Sequence, residues 1–242
     1  MSIAFRGREF RPSPIGLVIA ATACVITVLL GNWQMRRAEE KQRAGALREA
    51  AQQAPARGLP VTPFDPAEYV MTKVKAQGIF DPSQIYLLDN RSRDGRPGYE
   101  VMTPLRIQGS ELNVLVLRGW LAAGPKRDVV PPFRTPEGEH RIEGLAIAGF
   151  SHVLEPPGAN LQGRVRQNMT IESFTALTGL RMLPVAIEQH SDMADGLQRN
   201  WPRAETGADK NTAYAMQWYA FALLAVVLAV VLSFRRKVHD SA

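Results

Sequence analysis

Apolar positions along this chain follow two different rules. Near the ends stand two uncharged runs, Ile15–Trp33 of 19 residues and Ala213–Phe234 of 22 residues. Between them, over residues 34–212, apolar residues come in short stretches that alternate with polar ones and are cut by Gly and Pro. A helix rises about 1.5 Å per residue, so roughly 20 apolar residues cross a hydrocarbon core of roughly 30 Å. Both runs are therefore predicted to be transmembrane helices. The first is long for a cleaved signal peptide, and no A-x-A site follows it. Cys24, the only cysteine, is followed by more apolar sequence, unlike a lipoprotein site. A lone cysteine also excludes an internal disulfide and a cysteine-based zinc site.

The middle of the chain predicts one domain. Residues 34–53 favour helix and extend the first span out of the membrane, with Glu39 and Arg43 at i,i+4 spacing. Pro55, Pro60, Pro63 and Pro66 then form a stiff linker. Strand patterns follow at Tyr69–Phe80, Gln84–Leu88, Tyr99–Ile107, Leu112–Leu121, Arg141–His152, Arg164–Asn168 and Leu183–Gln189. They are separated by turn-rich segments such as NRSRDGRPG and by the Pro156-Pro157-Gly158 loop. One short helix, Ile171–Leu177, has Thr170 as its cap and Ser173 in its first turn. The expected fold is a membrane protein: two transmembrane α-helices flank one β-rich α+β domain, antiparallel and closed as a barrel or packed as a sandwich. The expected divisions are a basic tail at 1–14, a span at 15–33, the domain at 34–212, a span at 213–234 and a basic tail at 235–242.

Charge refines this layout. The net charge of +6 is concentrated in the tails, each of which has three basic residues and one acidic one. The basic residues are Arg6, Arg8 and Arg11 before the first span, and Arg235, Arg236 and Lys237 after the second. The domain keeps 23 basic and 21 acidic residues, too balanced for a nucleic-acid binder. Basic tails attract anionic lipid and set topology, which places both termini inside and the domain outside. Arg36, Arg37, Lys41 and Arg43 follow the first span and oppose that orientation, but long segments translocate largely regardless of charge.

Catalytic patterns are missing. His140, His152, His190 and His239 are not at metal-ligand spacing, and no H-x-x-x-H, G-x-S-x-G or phosphate-cradling glycine loop occurs. The carboxylates Asp89, Asp94, Glu155 and Glu172 are scattered. What remains is aromatic and polar residues at the outer helix ends. Trp33, Arg36 and Arg37 close the first span, and Tyr214, Gln217, Trp218 and Phe221 share one stripe of the second. An interfacial aromatic belt accounts for the rings; it does not account for Gln217, whose amide needs a polar partner.

Four segments in order carry a family resemblance: LGNWQMRR (Leu30–Arg37), NRSRDGRPGYEVMTPL (Asn90–Leu105), LVLRGWL (Leu115–Leu121) and DGLQRNWPRAETGADKNTAYAMQWY (Asp195–Tyr219). Together they resemble the surfeit-locus-one family of cytochrome c oxidase assembly factors. The resemblance implies a bacterial inner-membrane protein with a periplasmic domain. It implies a chaperone-like role, without enzymatic chemistry, in maturing a haem-copper oxidase. The implied partners are the oxidase catalytic subunit, membrane lipid and haem a, the last as ligand or as cargo. The residues that would meet haem are Trp33, Arg36, Arg37, Arg118, Trp120, Asn211, Tyr214, Gln217 and Trp218, with propionates on Arg36, Arg37 or Arg118. Arg118-Gly119-Trp120 equally reads as a strand end that packs Trp under a barrel mouth. One departure matters: family members commonly carry His three residues before the tyrosine, where this chain has Asn211, and an amide is a poor iron ligand beside imidazole. No metal site is expected. The alternatives are a membrane-tethered docking protein without haem, and an enzyme whose chemistry resides in the outer domain.

Overall fold

The computed structural model describes residues 4–5, 8–125, 129–152, 163–201 and 207–236. Arg6, Glu155, the Pro156-Pro157-Gly158 loop, Lys237 and His239 lie outside them. In chain order come β1 (Ala4–Phe5), β2 (Arg8–Phe10), α1 (Pro14–Gln53), β3 (Arg57–Gly58), β4 (Lys73–Phe80), β5 (Tyr86–Leu88), β6 (Gly98–Ile107), β7 (Asn113–Ala122), β8 (Glu139–Ile147), β9 (Val165–Arg166), α2 (Ile171–Thr178), β10 (Met182–Gln189), α3 (Ala208–Leu232) and β11 (Phe234–Arg236). The chain forms two compact units, one of residues 1–46 with 203–242 and one of residues 47–202.

The first unit is a helix pair. α1 is a single helix of 40 residues, so the first apolar run and the helix-favouring segment after it are continuous. α3 has 25 residues. Both are long and apolar enough to cross a membrane. Their seam is made of small residues. Gly31, Ala38 and Gly45 are the buried positions of α1, and Ala208, Ala215 and Ala222 those of α3. Both sets repeat every seven residues, the spacing that keeps one face of a helix on its neighbour. The helices run antiparallel, with Gly31 against Tyr219 and Lys41 against Asn211. A Cβ at Gly31 would lie 2.5 Å from the Tyr219 ring, so only glycine lets the backbones approach this closely. Remaining apolar side chains, such as Val18, Ile26, Leu223 and Val231, face outward, as lipid requires. Beyond the membrane-length segments, β2 lies between β1 and β11 in a three-stranded antiparallel sheet.

The second unit is a barrel. Strand order β4-β8-β10-β7-β6, with β6 pairing back to β4, closes five strands into a ring. Thus the barrel, and not the sandwich, is the observed alternative. β3, β5 and β9 extend the ring at its edges. Five of the eight strand pairings are antiparallel; β10–β7, β3–β4 and β5–β9 are parallel. The burial alternation of β4 puts Val74, Ala76 and Phe80 into a core shared with Leu105, Val116, Ile142 and Ile187. The central strands β6 and β7 are buried on both faces, which explains their near-continuous apolar composition.

Element boundaries shift where local turns compete with strand pattern. β4 begins at Lys73 and not at Tyr69, because Pro66–Glu68 forms a 3-10 turn capped by Asp65. Thr72 Oγ1 then donates to the Tyr69 carbonyl at 2.7 Å, and Met71 takes a φ of 61°. β5 likewise starts after a 3-10 turn at Pro82–Gln84 capped by Asp81. β8 stops at Ile147, short of His152. α2 carries the expected cap: Thr170 Oγ1 accepts from the Ser173 amide, Ser173 Oγ accepts from the Thr170 amide, and Gly179 ends the helix at a φ of 70°.

Closure depends on two glycines. A Cβ on Gly78 would stand 2.0 Å from the Arg106 carbonyl oxygen, and one on Gly144 would stand 2.0 Å from that of Glu188. These are the β4–β6 and β8–β10 seams, where strands bend sharply into the ring. Gly144→Ala is expected to destabilise the barrel by about 1–3 kcal/mol through overpacking. Gly58→Ala, where a Cβ meets no atom within 4 Å, is expected to stay within about 0.5 kcal/mol. Denaturation of the full chain in detergent, followed by tryptophan fluorescence, measures both.

Candidate functional site

Three of the four segments that carried the family resemblance converge inside the barrel unit. β7 crosses the core with an arginine in an otherwise apolar strand, and a buried guanidinium must be paired. Arg118 is fully buried. Its Nη2 donates to Asp195 Oδ2 at 2.8 Å and to the Arg134 carbonyl at 2.7 Å, and its Nη1 donates to Thr135 Oγ1 at 2.8 Å. The guanidinium carbon lies 5.0 Å from the centre of the Phe80 ring. Arg199 donates to the same Asp195 oxygen at 2.6 Å. Burial pulls the Arg118 pKa down and the bond to Asp195 opposes that shift. All polar directions of Arg118 are turned inward, which leaves no surface to offer a propionate.

Gly119 and Trp120 complete the junction. A Cβ on Gly119 would be 2.7 Å from Leu197 Cβ and 2.9 Å from the Gln198 oxygen, so the glycine admits the 195–201 segment edge-on. Trp120 and Gln198 exchange two backbone hydrogen bonds, at 2.7 and 2.9 Å. Trp120 is buried, and its Nε1 donates to the Arg91 carbonyl at 2.6 Å. Arg91 and Arg93 both pair with Glu100, at 3.3 and 3.4 Å. Arg93 also donates to Asn200 Oδ1 at 3.0 Å and lies 4.7 Å from the Trp201 ring centre and 5.7 Å from that of Trp120. Burial raises the Glu100 pKa against the pull of the two arginines, and lowers theirs. Trp201 Nε1 reaches the Gln189 carbonyl at 2.7 Å. Next to it on β10, Glu188 pairs with Arg48 from the last turns of α1 and contacts His190 Nε2 at 2.8 Å. Within the barrel unit these contacts form a clamp on Arg48 and on the 195–201 segment.

The other expected site residues belong to the helix pair. Asn211 is not free to approach a ligand. Its Nδ2 donates to Gln34 Oε1 at 2.6 Å and its Oδ1 accepts from Lys41 Nζ at 2.8 Å. About two turns further along α3, Tyr219 donates to Asn32 Oδ1 at 2.7 Å. Trp33 and Tyr214 are about half exposed. Trp33 follows Gly31 by two residues and so points away from the seam. Trp218 packs edge-on against Phe221 at 5.8 Å, and no ring contact joins it to Trp33 among the described residues. Gln217 is exposed and finds no hydrogen-bond partner among the described residues. Arg36 is exposed, and Arg37 is exposed and paired with Glu40 at 3.0 Å. The expected pair Arg43–Glu39 forms at 3.3 Å.

The sequence reading missed Gln34, Lys41, Asn32 and Tyr219 in this cluster, and Arg91, Arg93, Glu100, Asp195 and Trp201 in the clamp. Only Arg118 carried a readable signal, as a charge inside an apolar strand. Among the described residues no group of His, Cys, Asp or Glu could hold a metal ion. Asn211 already donates through Nδ2 to Gln34 and accepts at Oδ1 from Lys41. Axial ligation of a haem iron at that position does not fit the residues present.

A family model described as the SURF1 family matches residues 21–223, which covers the barrel and most of both membrane-length helices. A SURF1-like protein of Monosiga brevicollis is 27% identical over 230 residues, with 88% of this chain and 85% of the relative covered. A SURF1-like protein of Rickettsia conorii is also 27% identical, over 218 residues, with 88% of each chain covered. The protein named Surfeit locus protein 1 of Takifugu rubripes is 24% identical, covering 84% of this chain and 89% of its own length.

Asp195→Asn would leave two buried guanidinium groups without their carboxylate. It is expected to cost about 3–5 kcal/mol, while Glu39→Gln, which breaks an exposed pair, costs less than about 1 kcal/mol. Urea denaturation of the two variants beside the unaltered chain checks the contrast.

Proposed function

Because the chain belongs to the SURF1 family, we propose that it is an inner-membrane assembly factor for a haem-copper cytochrome oxidase. In this reading it binds the catalytic subunit during maturation and aids placement of haem a. It acts as a chaperone and carries out no covalent chemistry. The single observation that supports this most is the family match across both helices and the barrel together, so that the membrane pair and the outer domain are one inherited unit. The basic tails favour termini inside and the barrel in the periplasm. Of the four basic residues that oppose this orientation, Arg37, Lys41 and Arg43 are engaged with Glu40, Asn211 and Glu39.

The residues suited to meet cargo are those left exposed at the outer ends of the helices: Trp33, Arg36, Arg37 and Tyr214, with Gln217 and Trp218 beside them. Aromatic faces can hold a flat apolar macrocycle, and guanidinium groups can pair with its propionates. Arg118 and Trp120 serve as scaffold. Haem a is thus handled as cargo, without an iron ligand from Asn211. The closed Gln34–Asn211–Lys41 cluster also supports a second reading, in which the helix pair docks the catalytic subunit and never touches haem.

Deletion of the gene is expected to lower the haem a signal in reduced-minus-oxidised membrane spectra together with oxidase activity; an unchanged signal in a strain without a paralogue would sink the assembly role. Purified chain mixed with haem is expected to show no low-spin, nitrogen-ligated spectrum, whereas Asn211→His gains one. A bis-imidazole spectrum from the unaltered chain would refute the account of Asn211.

A further inference from the structure

The last turns of α1, residues 47–53, belong to the barrel unit, and one side chain ties them to it. Arg48 Nη2 donates to Glu188 Oε1 on β10. Among the described residues no other side chain of residues 47–53 makes a hydrogen bond or ion pair. The tie is shared, because His190 Nε2 lies 2.8 Å from the same Glu188 oxygen. The side chains of Arg48, Glu188 and His190 are 17, 9 and 25% exposed, so solvent screens their charges only in part.

The charged groups around this oxygen are already out of balance. In register beside Glu188 on the two adjacent strands stand Leu117 and Leu145, which offer it no charge. From β8, Glu143 faces the turn that carries His190. Its carbonyl accepts from the His190 and Ser191 amides at 2.8 and 2.9 Å, while its carboxylate pairs with Arg141 at 3.3 Å and Lys73 at 3.9 Å. Arg93 and Glu100 are near enough for the charge of Glu188 to act on them, and Glu100 is shared by Arg91 and Arg93. Arg48, Arg91 and Arg93 thus face only Glu100 and Glu188, an excess of one positive charge before His190 gains a proton.

Nε2 of His190 faces a carboxylate oxygen, so its hydrogen lies there and Nδ1 is the nitrogen left to take up a proton. An imidazole does this between about pH 5 and 8. Two cations then compete for one oxygen and repel each other at close range. The backbone decides which of them leaves. The turn at His190 is fixed to β8 by both amide bonds to Glu143, and the Ser191 hydroxyl accepts from the Glu143 amide at 3.1 Å. Arg48 stands near the end of a helix that no other polar side chain holds there. Protonation adds positive charge beside Arg48, so its attachment weakens as pH falls.

We propose that Glu188 and His190 form a proton-operated latch on the end of α1: neutral His190 leaves Arg48 on Glu188, and charged His190 takes the carboxylate and releases residues 47–53 from β10. The latch works within the barrel unit and is independent of the oxidase reading.

The full chain in detergent, with Cys24→Ser and a nitroxide attached at Leu47→Cys, tests this. Leu47 is 68% exposed, so the label displaces nothing buried. The mobile fraction of its electron paramagnetic resonance spectrum is expected to be at least about threefold larger at about pH 5.5 than at about pH 8. His190→Gln keeps a donor for Glu188 without a titrating nitrogen, and should hold the less mobile spectrum at both values. His190→Lys fixes the positive charge and Arg48→Gln removes the held group; each should give the mobile spectrum at both, with circular dichroism showing the barrel intact. A spectrum of the unaltered chain that does not change with pH overturns the latch. So does a change that persists in His190→Gln, since another group would then be titrating, and so does an immobile label in folded His190→Lys at the higher pH.

Discussion

A guanidinium without solvent has to be answered by a carboxylate, and the barrel is organised around that requirement. Arg118 and Asp195 meet at 2.8 Å with neither side chain exposed. Because Asp195 lies outside the five strands, satisfying Arg118 draws the 195–201 segment onto the barrel. Once there, the segment adds backbone bonds to Trp120, an edge for Gly119 to face and Trp201 to cover Arg93. Removing such a pair on one side costs far more than its net contribution to stability, because the other charge is left stranded. Glu100 with Arg91 and Arg93 repeats the solution a few residues away, and ties the turn after β5 to the same junction.

The helix pair obeys a different constraint. Lipid offers no hydrophobic drive for helices to associate, so contact depends on close backbone approach and on polar groups that satisfy each other. Small residues at intervals of seven provide the approach. At the end of the pair that carries Asn211, Gln34, Lys41 and Asn211 close on one another, and Asn32 receives Tyr219. These bonds fix the register of α1 against α3. They also explain why an asparagine in this position is stable: its amide has one donor and one acceptor engaged, where an imidazole would have to find new partners. At the opposite end of the pair small residues line two apolar grooves beside the helix contact.

Much of the fold was legible along the chain. Two uncharged runs of membrane length dictated two spans, period-two alternation gave most strands of the β unit, and Thr170 with Ser173 marked the start of α2. Strand ends were misread where Asp65 and Asp81 cap 3-10 turns, since a local side-chain cap outcompetes the strand pattern over three or four residues. The choice between barrel and sandwich was not legible, because it rests on a three-residue pairing between Gly78–Phe80 and Leu105–Ile107 that alternation does not encode. The site was only half legible. Trp33, Arg36, Arg37 and Tyr214 are exposed on the helices, whereas Arg118 and Trp120 face inward.

By itself, then, the sequence determined which segments are apolar enough for a membrane, which alternate as strands and where the charge is concentrated, since these follow from composition and spacing within one segment. The tertiary structure alone decided which arginines are buried and paired, that Asn211 closes on Gln34 and Lys41, and that Trp120 meets the 195–201 segment. Each of those facts joins residues distant in the chain, and only the closed packing of strands and helices brings their charges and hydrogen-bonding groups within range of one another.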